Sequence, residues 1–326
     1  MNAPTYQLID FGMGRKLESL GDYRIDRPSP AADHAARHSP VDWAKVDAKF
    51  DENAKRWKFY QPWPDDLTID CGPFKMPVRP TPYGHIGLFP EQHANWQWLA
   101  QAPGSSDSVS VLDSDQASIA ESPAEADEKG NADESQQSDP LLGLNLFGYT
   151  GASTMAMVAA GLAVAHVDAA KPNVESARES AARNDWQDKP IRYLVDDAAK
   201  FAAREVRRDR RYHTIVLDPP AYGHGPAGKT WRVERDLWPL LESCFALLRP
   251  DRAKMSGKTA STRLLITGHS PDVTSEEIVR FIRSAKPLKP ASLRIDADRS
   301  ELETPEGRKL NAGFSVRVTL KWSKRN

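Results

Sequence analysis

The 326 residues carry 44 Lys and Arg against 45 Asp and Glu and are 40% hydrophobic, which allows one large domain and a smaller one with ample core. No run of about 18 apolar residues occurs, so no membrane span is expected. Two cysteines, Cys71 and Cys244, are too few for a disulfide framework or a Cys-rich zinc site.

The first ten residues, MNAPTYQLID, are neither basic nor apolar and do not read as a signal peptide, so a reducing cytoplasm is the expected compartment. The formal net charge of −1 neither supports nor excludes an RNA partner, because a basic face can be offset by acid elsewhere.

Residues 1–95 read as a separate small α+β region, rich in aromatics, prolines and charge. Basic residues such as Arg15, Lys16, Arg27, Arg56 and Lys58 are interspersed with Trp43, Trp57, Phe59 and Tyr60. That mixture suits phosphates and stacked bases, but large aromatics also pack inside small domains, and both readings stand. Residues 67–71 and 74–79 read as strands joined around Gly72-Pro73, and a helix begins near Glu91. Residues 101–140 are Ser-, Ala- and acid-rich with no aromatic, too polar to offset chain entropy, and are expected to be a disordered insert in the larger unit, 96–326.

The larger unit begins with a short apolar run, 144–147, then the small-residue turn Gly148-Tyr149-Thr150-Gly151, a helix over 153–160, and a second apolar run ending on Asp168. This is half of a doubly wound α/β domain. Helices follow over 171–184 and 198–208, the second with the basic tail Arg204 to Arg211, which reads as a solvated face or an RNA footprint. Strands are expected at 191–195, 213–217 and 263–267, with a helix over 231–248 kinked near Pro239. Thr274 caps a helix to residue 284 with Glu277 three residues on. Strands near 293–295 and over 314–322 then suggest an antiparallel edge on a parallel sheet.

Ligands of such sheets bind outside the carboxyl ends of the strands. Those ends carry the Phe147–Gly151 turn, Asp168, Asp197 and Asp218. Neither G-x-G-x-x-G nor a phosphate loop is present, and no Lys or Arg lies between Leu141 and Gly161. A cofactor with a ribose but no phosphate fits, S-adenosylmethionine above all. Asp168 would hold the ribose, Asp197 the adenine amino group, and the turn would pass under the methionine part. In Asp218-Pro219-Pro220-Ala221-Tyr222 the carboxylate and the fixed carbonyls can accept from a planar amino group, and Tyr222 can stack on a flat ring. The loop 223–229 after it is expected to close over the substrate, with His224 read as a surface histidine. Methylation at a pyrimidine carbon would need a cysteine nucleophile, and neither cysteine follows the fourth or fifth strand.

Several stretches together resemble the class I methyltransferases grouped with the bacterial 23S ribosomal RNA methyltransferases that modify cytosine C5 or guanine N2. They are GRKLESLGDYRIDRP, TPYGHIGLFPEQHANW, LNLFGYTGASTMAMVAAGLAVAHVDAAK, VDDAAKF and HTIVLDPPAYGHGPAGKTW. The resemblance implies a seven-stranded Rossmann-like sheet, S-adenosylmethionine as cofactor and an RNA substrate, ribosomal RNA above all. It places Gly148, Tyr149, Thr150, Asp168, Asp197 and Asp218 in the cofactor pocket, and Phe89, Glu91 and Gln92 near it. The cytosine C5 members carry a cysteine after the fifth strand where this chain reads Thr267-Gly268-His269-Ser270-Pro271. A protein or small-molecule substrate, an inactive binding module and a nicotinamide dehydrogenase are the alternatives.

Overall fold

The computed structural model describes residues 5–38, 42–104, 140–224, 230–250 and 259–323. The acidic insert beyond residue 104, the tip of the 223–229 loop and residues 251–258 fall outside them.

The chain opens with a five-stranded sheet: β1 (Tyr6–Gly12), β2 (Arg15–Leu20), β3 (Tyr23–Pro28), β4 (Ala48–Asp51) and β5 (Arg56–Phe59), in that spatial order. A small hairpin follows, β6 (Thr68–Asp70) with β7 (Lys75–Pro77), as the turn at Gly72-Pro73 predicts. The tryptophans of this region pack inward. The Trp43 indole donates to Asp10, Trp57 to the Thr81 carbonyl and Trp63 to the Val78 carbonyl. Arg15 pairs with Asp26, and Lys16 and Arg27 pair with Glu18. Much of the aromatic and basic content thus serves the region's own core. Phe59 and Tyr60 on the edge stay exposed.

After α1 (His93–Leu99) comes the large sheet, built from β8 (Leu142–Leu146), α2 (Ala152–Ala159), β9 (Ala163–Asp168), α3 (Lys171–Ala182), β10 (Ile191–Val195), α4 (Ala198–Arg207) and β11 (Thr214–Leu217). A hairpin of β12 (Tyr222–His224) and β13 (Thr230–Arg232) leads into α5 (Val233–Leu247). Then come β14 (Thr259–Gly268), α6 (Ser275–Ser284), β15 (Ala291–Glu303) and β16 (Lys309–Ser323). The order is β10-β9-β8-β11-β14-β16-β15, a seven-stranded Rossmann-like mixed sheet. The first five strands are mutually parallel, and β16 runs antiparallel to both β14 and β15. The reversed strand is therefore one in from the edge, where Val316, Val318 and Leu320 are fully buried. The capping box at Thr274 is formed, and Pro239 sits inside α5 with its side chain toward solvent.

The last hairpin is longer than its apolar pattern suggests. Leu302 and Leu310 pack with Leu8, Phe11 and Ala32 of the N-terminal sheet. Arg308 pairs with Asp10 and donates to the carbonyls of Phe11 and Ala36. A second core joins Leu20, Ile25 and Trp96 to Met155, Val164 and Leu265 of the large sheet. Arg263 on β14 also donates to the carbonyls of Trp98 and Leu99.

Candidate active site

An open cleft of about 1530 Å³ lies at the carboxyl ends of the parallel strands, roomy enough for a nucleoside cofactor and part of a second molecule. Phe89, Glu91, Gln92, Phe147, Tyr149, Thr150, Asp168, Asp197, Asp218 and Pro220 all line it. Residues from before the insert and after it therefore share one site.

The loop after β8 is tightly determined. Phe147 and Tyr149 both adopt left-handed backbone, φ 59° and 48°, which costs a side-chain-bearing residue about 1–2 kcal/mol each. Local bonds fix them: the Gly148 amide donates to the Val167 carbonyl, and the Tyr149 amide to Asp168 Oδ2, both at 2.9 Å. The Phe147 ring lies against Trp231, centroids 4.8 Å apart, and the Tyr149 ring against Phe89 at 5.6 Å. Gly148 is needed for packing: a Cβ there would meet His166 Cε1 at 2.5 Å. Gly151, φ 95°, begins α2. Both glycines border a small adjoining hollow rather than the main cleft. Thr150 Oγ1 donates to the Gly87 carbonyl at 2.6 Å, which fixes the 87–92 segment over the loop. Gln92 is held in turn: Asn95 donates to it, and Arg317 donates to Asn95.

Asp168 is buried at the tip of β9 and already accepts three hydrogen bonds, from the amides of Tyr149 and Ala170 and from Asn173 Nδ2. A carboxylate offers about four acceptor positions, so it shapes the loop as well as facing the cleft. Asp197 is the N-cap of α4: its Oδ1 accepts from the Lys200 amide at 2.8 Å, and no described residue donates to Oδ2. Asp218 Oδ1 accepts from Thr267 Oγ1 at 2.5 Å. Burial raises its carboxyl above the usual range, against the opposing pull of that hydrogen bond. Glu91 is likewise pushed up by burial, and its Oε2 is a buried atom with no hydrogen-bond partner.

The aromatic contact beside Asp218 differs from the sequence expectation. Tyr222 is 53% exposed on the β12–β13 hairpin, under Arg232, and does not line the cleft. Trp231, across that hairpin, does. Its indole donates to the Pro220 carbonyl at 2.8 Å, so that carbonyl already has a donor, and Pro219 is buried behind it. The tip of the predicted closing loop, with the side chain of His224, lies outside the described residues. Sequence reasoning also missed Lys16, Arg27 and Arg299, cations that line the cleft from the N-terminal sheet and the last hairpin.

The cysteines are structural. Both are buried, Cys71 is pushed up to about 12 by desolvation, and Cys244 is raised further; neither lines the cleft. Arg204, Arg208 and Arg211 in the basic tail pair with Asp196, Glu205 and Asp209. No group of three or more metal-ligating side chains occurs among the described residues, and none of their helices is long and apolar enough to cross a membrane.

A solved S-adenosylmethionine-dependent methyltransferase from Agrobacterium tumefaciens superposes on 99% of this chain and 92% of its own, with TM-score 0.77 and 28% identity. The chain is related to the class I methyltransferases. A methyltransferase solved with S-adenosylhomocysteine shares the fold over 98% of this chain and 76% of its own, at TM-score 0.67 and 13% identity. Two curated relatives are similar over shorter stretches. Ribosomal RNA large subunit methyltransferase K/L of Methylococcus capsulatus is 31% identical over 109 residues, 33% of this chain and 15% of that protein. Ribosomal RNA large subunit methyltransferase I of Alteromonas mediterranea is 31% identical over 80 residues, 24% of this chain and 20% of that protein. The match thus spans a fifth or less of either curated relative. No family model matches.

Proposed function

We propose that the protein transfers a methyl group from S-adenosylmethionine to a nitrogen of an RNA base, with ribosomal RNA as the substrate class. The carrying observation is one cleft that joins Asp168, Asp197 and the 147–151 loop to Asp218 and the Phe147–Trp231 ring pair. The residues fit this cofactor. Among the described residues none donates to Asp197 Oδ2 and none partners the buried Glu91 Oε2, and no cation stands on the 147–151 loop to call for a phosphate. When bound, S-adenosylmethionine supplies a methyl group on a sulfonium, an electrophile that needs alignment more than acid catalysis.

The chain's own residues supply that alignment. Asp168 accepts from a ribose hydroxyl at its remaining acceptor position while its other bonds keep the loop in shape. Asp197 accepts from the adenine amino group. Asp218, desolvated and oriented by Thr267, accepts an N–H of the target base and so turns the nitrogen lone pair toward the methyl. Phe147 and Trp231 present apolar surface to the base, and the rigid Asp-Pro-Pro exit holds the carboxylate in place. In this reading residues 96–326 form the transfer unit and residues 1–95 supply one wall of its cleft.

RNA as substrate is supported by the names of the two curated relatives. Nitrogen as acceptor is supported by two inert cysteines away from the cleft. A protein or small-molecule acceptor is the second reading, favoured by the near-neutral charge and the ion-paired arginines of α4. Incubation with methyl-labelled S-adenosylmethionine and separated RNA and protein fractions tests this. Label in RNA, lost in Asp218→Asn, is expected; label confined to protein would overturn the substrate assignment.

A further inference from the structure

We propose that Lys16 and Arg27 of the N-terminal sheet, together with Glu91, form a receptor for a zwitterionic α-amino-acid group, the methionine end of the cofactor. The inference rests on the cofactor reading above and adds Lys16 and Arg27, which the strand tips do not assign, to Glu91 of the 87–92 segment.

Lys16 and Arg27 are almost fully buried, 8% and 3% exposed, yet both reach the wall of the cleft. They share one carboxylate, Glu18, which is fully buried. It takes Nε and Nη2 of Arg27 and sits 3.2 Å from Lys16 Nζ. Burial alone would raise Glu18; the two cations bring it down to about 2 instead. Glu18 takes the direct bonds of both cations, Glu91 is the second anion that acts on them, and no described residue bonds Arg27 Nη1. Glu91 Oε2 is buried in the same wall with no partner among the described residues. A buried carboxylate oxygen without a donor is costly, and a guanidinium nitrogen left over at the cleft can take an acceptor there.

One ligand group satisfies both: an α-ammonium donates to Glu91, and an α-carboxylate accepts from Lys16 Nζ and Arg27 Nη1. It adds no net charge to the wall. The placement agrees, because Arg27 and Asp168 both act on the Tyr149 phenol, so the cluster lies within electrostatic reach of the 147–151 loop. Electrostatics agree as well. Burial pushes Lys16 down and Glu91 up, and a bound zwitterion opposes both pushes.

The test is calorimetry with two probes that share an adenosine thioether and differ in the amino-acid end, S-adenosylhomocysteine and 5′-methylthioadenosine. Lys16→Gln and Glu91→Gln are the variants. Arg27 is left intact, since its pairing with Glu18 in the core makes its loss a folding defect. The wild-type protein should prefer S-adenosylhomocysteine by tenfold or more. Each variant should lose about tenfold in affinity for it and hold 5′-methylthioadenosine within twofold. Equal losses for both probes, or no loss for either, would overturn the receptor. So would unchanged S-adenosylhomocysteine affinity with weakened RNA binding, which would give the cations to a phosphate. A wild-type protein that binds both probes equally removes the receptor alone; one that binds neither removes the cofactor reading with it.

Discussion

Asp168→Ala separates the loop-anchoring bonds of one carboxylate from the ribose binding proposed for it. The side chain accepts from the amides of Tyr149 and Ala170 and from Asn173, all within 2.9–3.0 Å. Truncation leaves two amides near the loop without their acceptor, at about 1–3 kcal/mol for each one left dry, so a loss of about 2–4 kcal/mol of stability is expected. For a chain of this size that is a melting-point drop of roughly 3–6 °C. The remaining acceptor position, filled by one charge-assisted bond to a ribose hydroxyl, would add about 2 kcal/mol of binding, a factor of about 30 in affinity. Asp168→Asn keeps one carbonyl acceptor and the side-chain shape, so it should recover much of the stability and little of the affinity. Thermal melts and calorimetry with S-adenosylhomocysteine, run well below both melting points, read the two effects apart. An Asn variant that melts lower yet binds with wild-type affinity would refute the ribose assignment and leave Asp168 a loop anchor.

Other outcomes follow from the same geometry. Asp218→Asn should cut methyl-transfer turnover at least tenfold with cofactor affinity within about twofold, because the carboxylate faces the base; equal losses in both would assign it to the cofactor. Trp231→Ala should slow turnover, whereas Tyr222→Ala should leave it within about twofold, since only Trp231 lines the cleft; the reverse order in steady-state rates would return the stacking role to Tyr222. His166, buried under the loop and bonded to Thr154, is lowered by desolvation from 6.5 to about 4. The unfolded chain thus takes up a proton that the native one refuses. The stabilisation is full above about pH 6.5 and is lost as pH falls toward 4, by about 3 kcal/mol in all. An imidazole NMR titration of the native protein with a midpoint near 6.5 would contradict this.

The strand tips were legible because the chemistry sits where periodicity breaks. Most of the parallel strands are short apolar runs followed by a small or acidic residue, and that rule alone singles out Asp168, Asp197 and Asp218, all of which line the cleft. The N-terminal sheet was not legible as a sheet. Its strands bury Asp10, Lys16, Glu18, Asp26 and Arg27, so the apolar–polar alternation that marks a half-buried strand is absent. The same burial hid Lys16 and Arg27 as cleft residues, since basic residues interspersed with aromatics read as a nucleic-acid surface or as the packing of a small domain. Trp231 was missed because it reaches the Asp-Pro-Pro exit by cross-strand pairing, Gly223 opposite Trp231, which no local spacing reports. The last hairpin read short because its far half is polar; Leu302 and Leu310 alone carry its packing on the N-terminal sheet. The double duty of Asp168 is also invisible in sequence, because it depends on two left-handed residues in the preceding loop.

The most direct measurement is mass spectrometry of ribosomal RNA nucleosides from the native host, with and without this gene. The account predicts one N-methylated nucleoside that disappears on deletion and returns with the wild-type gene but not with Asp218→Ala. An unchanged nucleoside profile, or a missing C5-methylated pyrimidine, would contradict it.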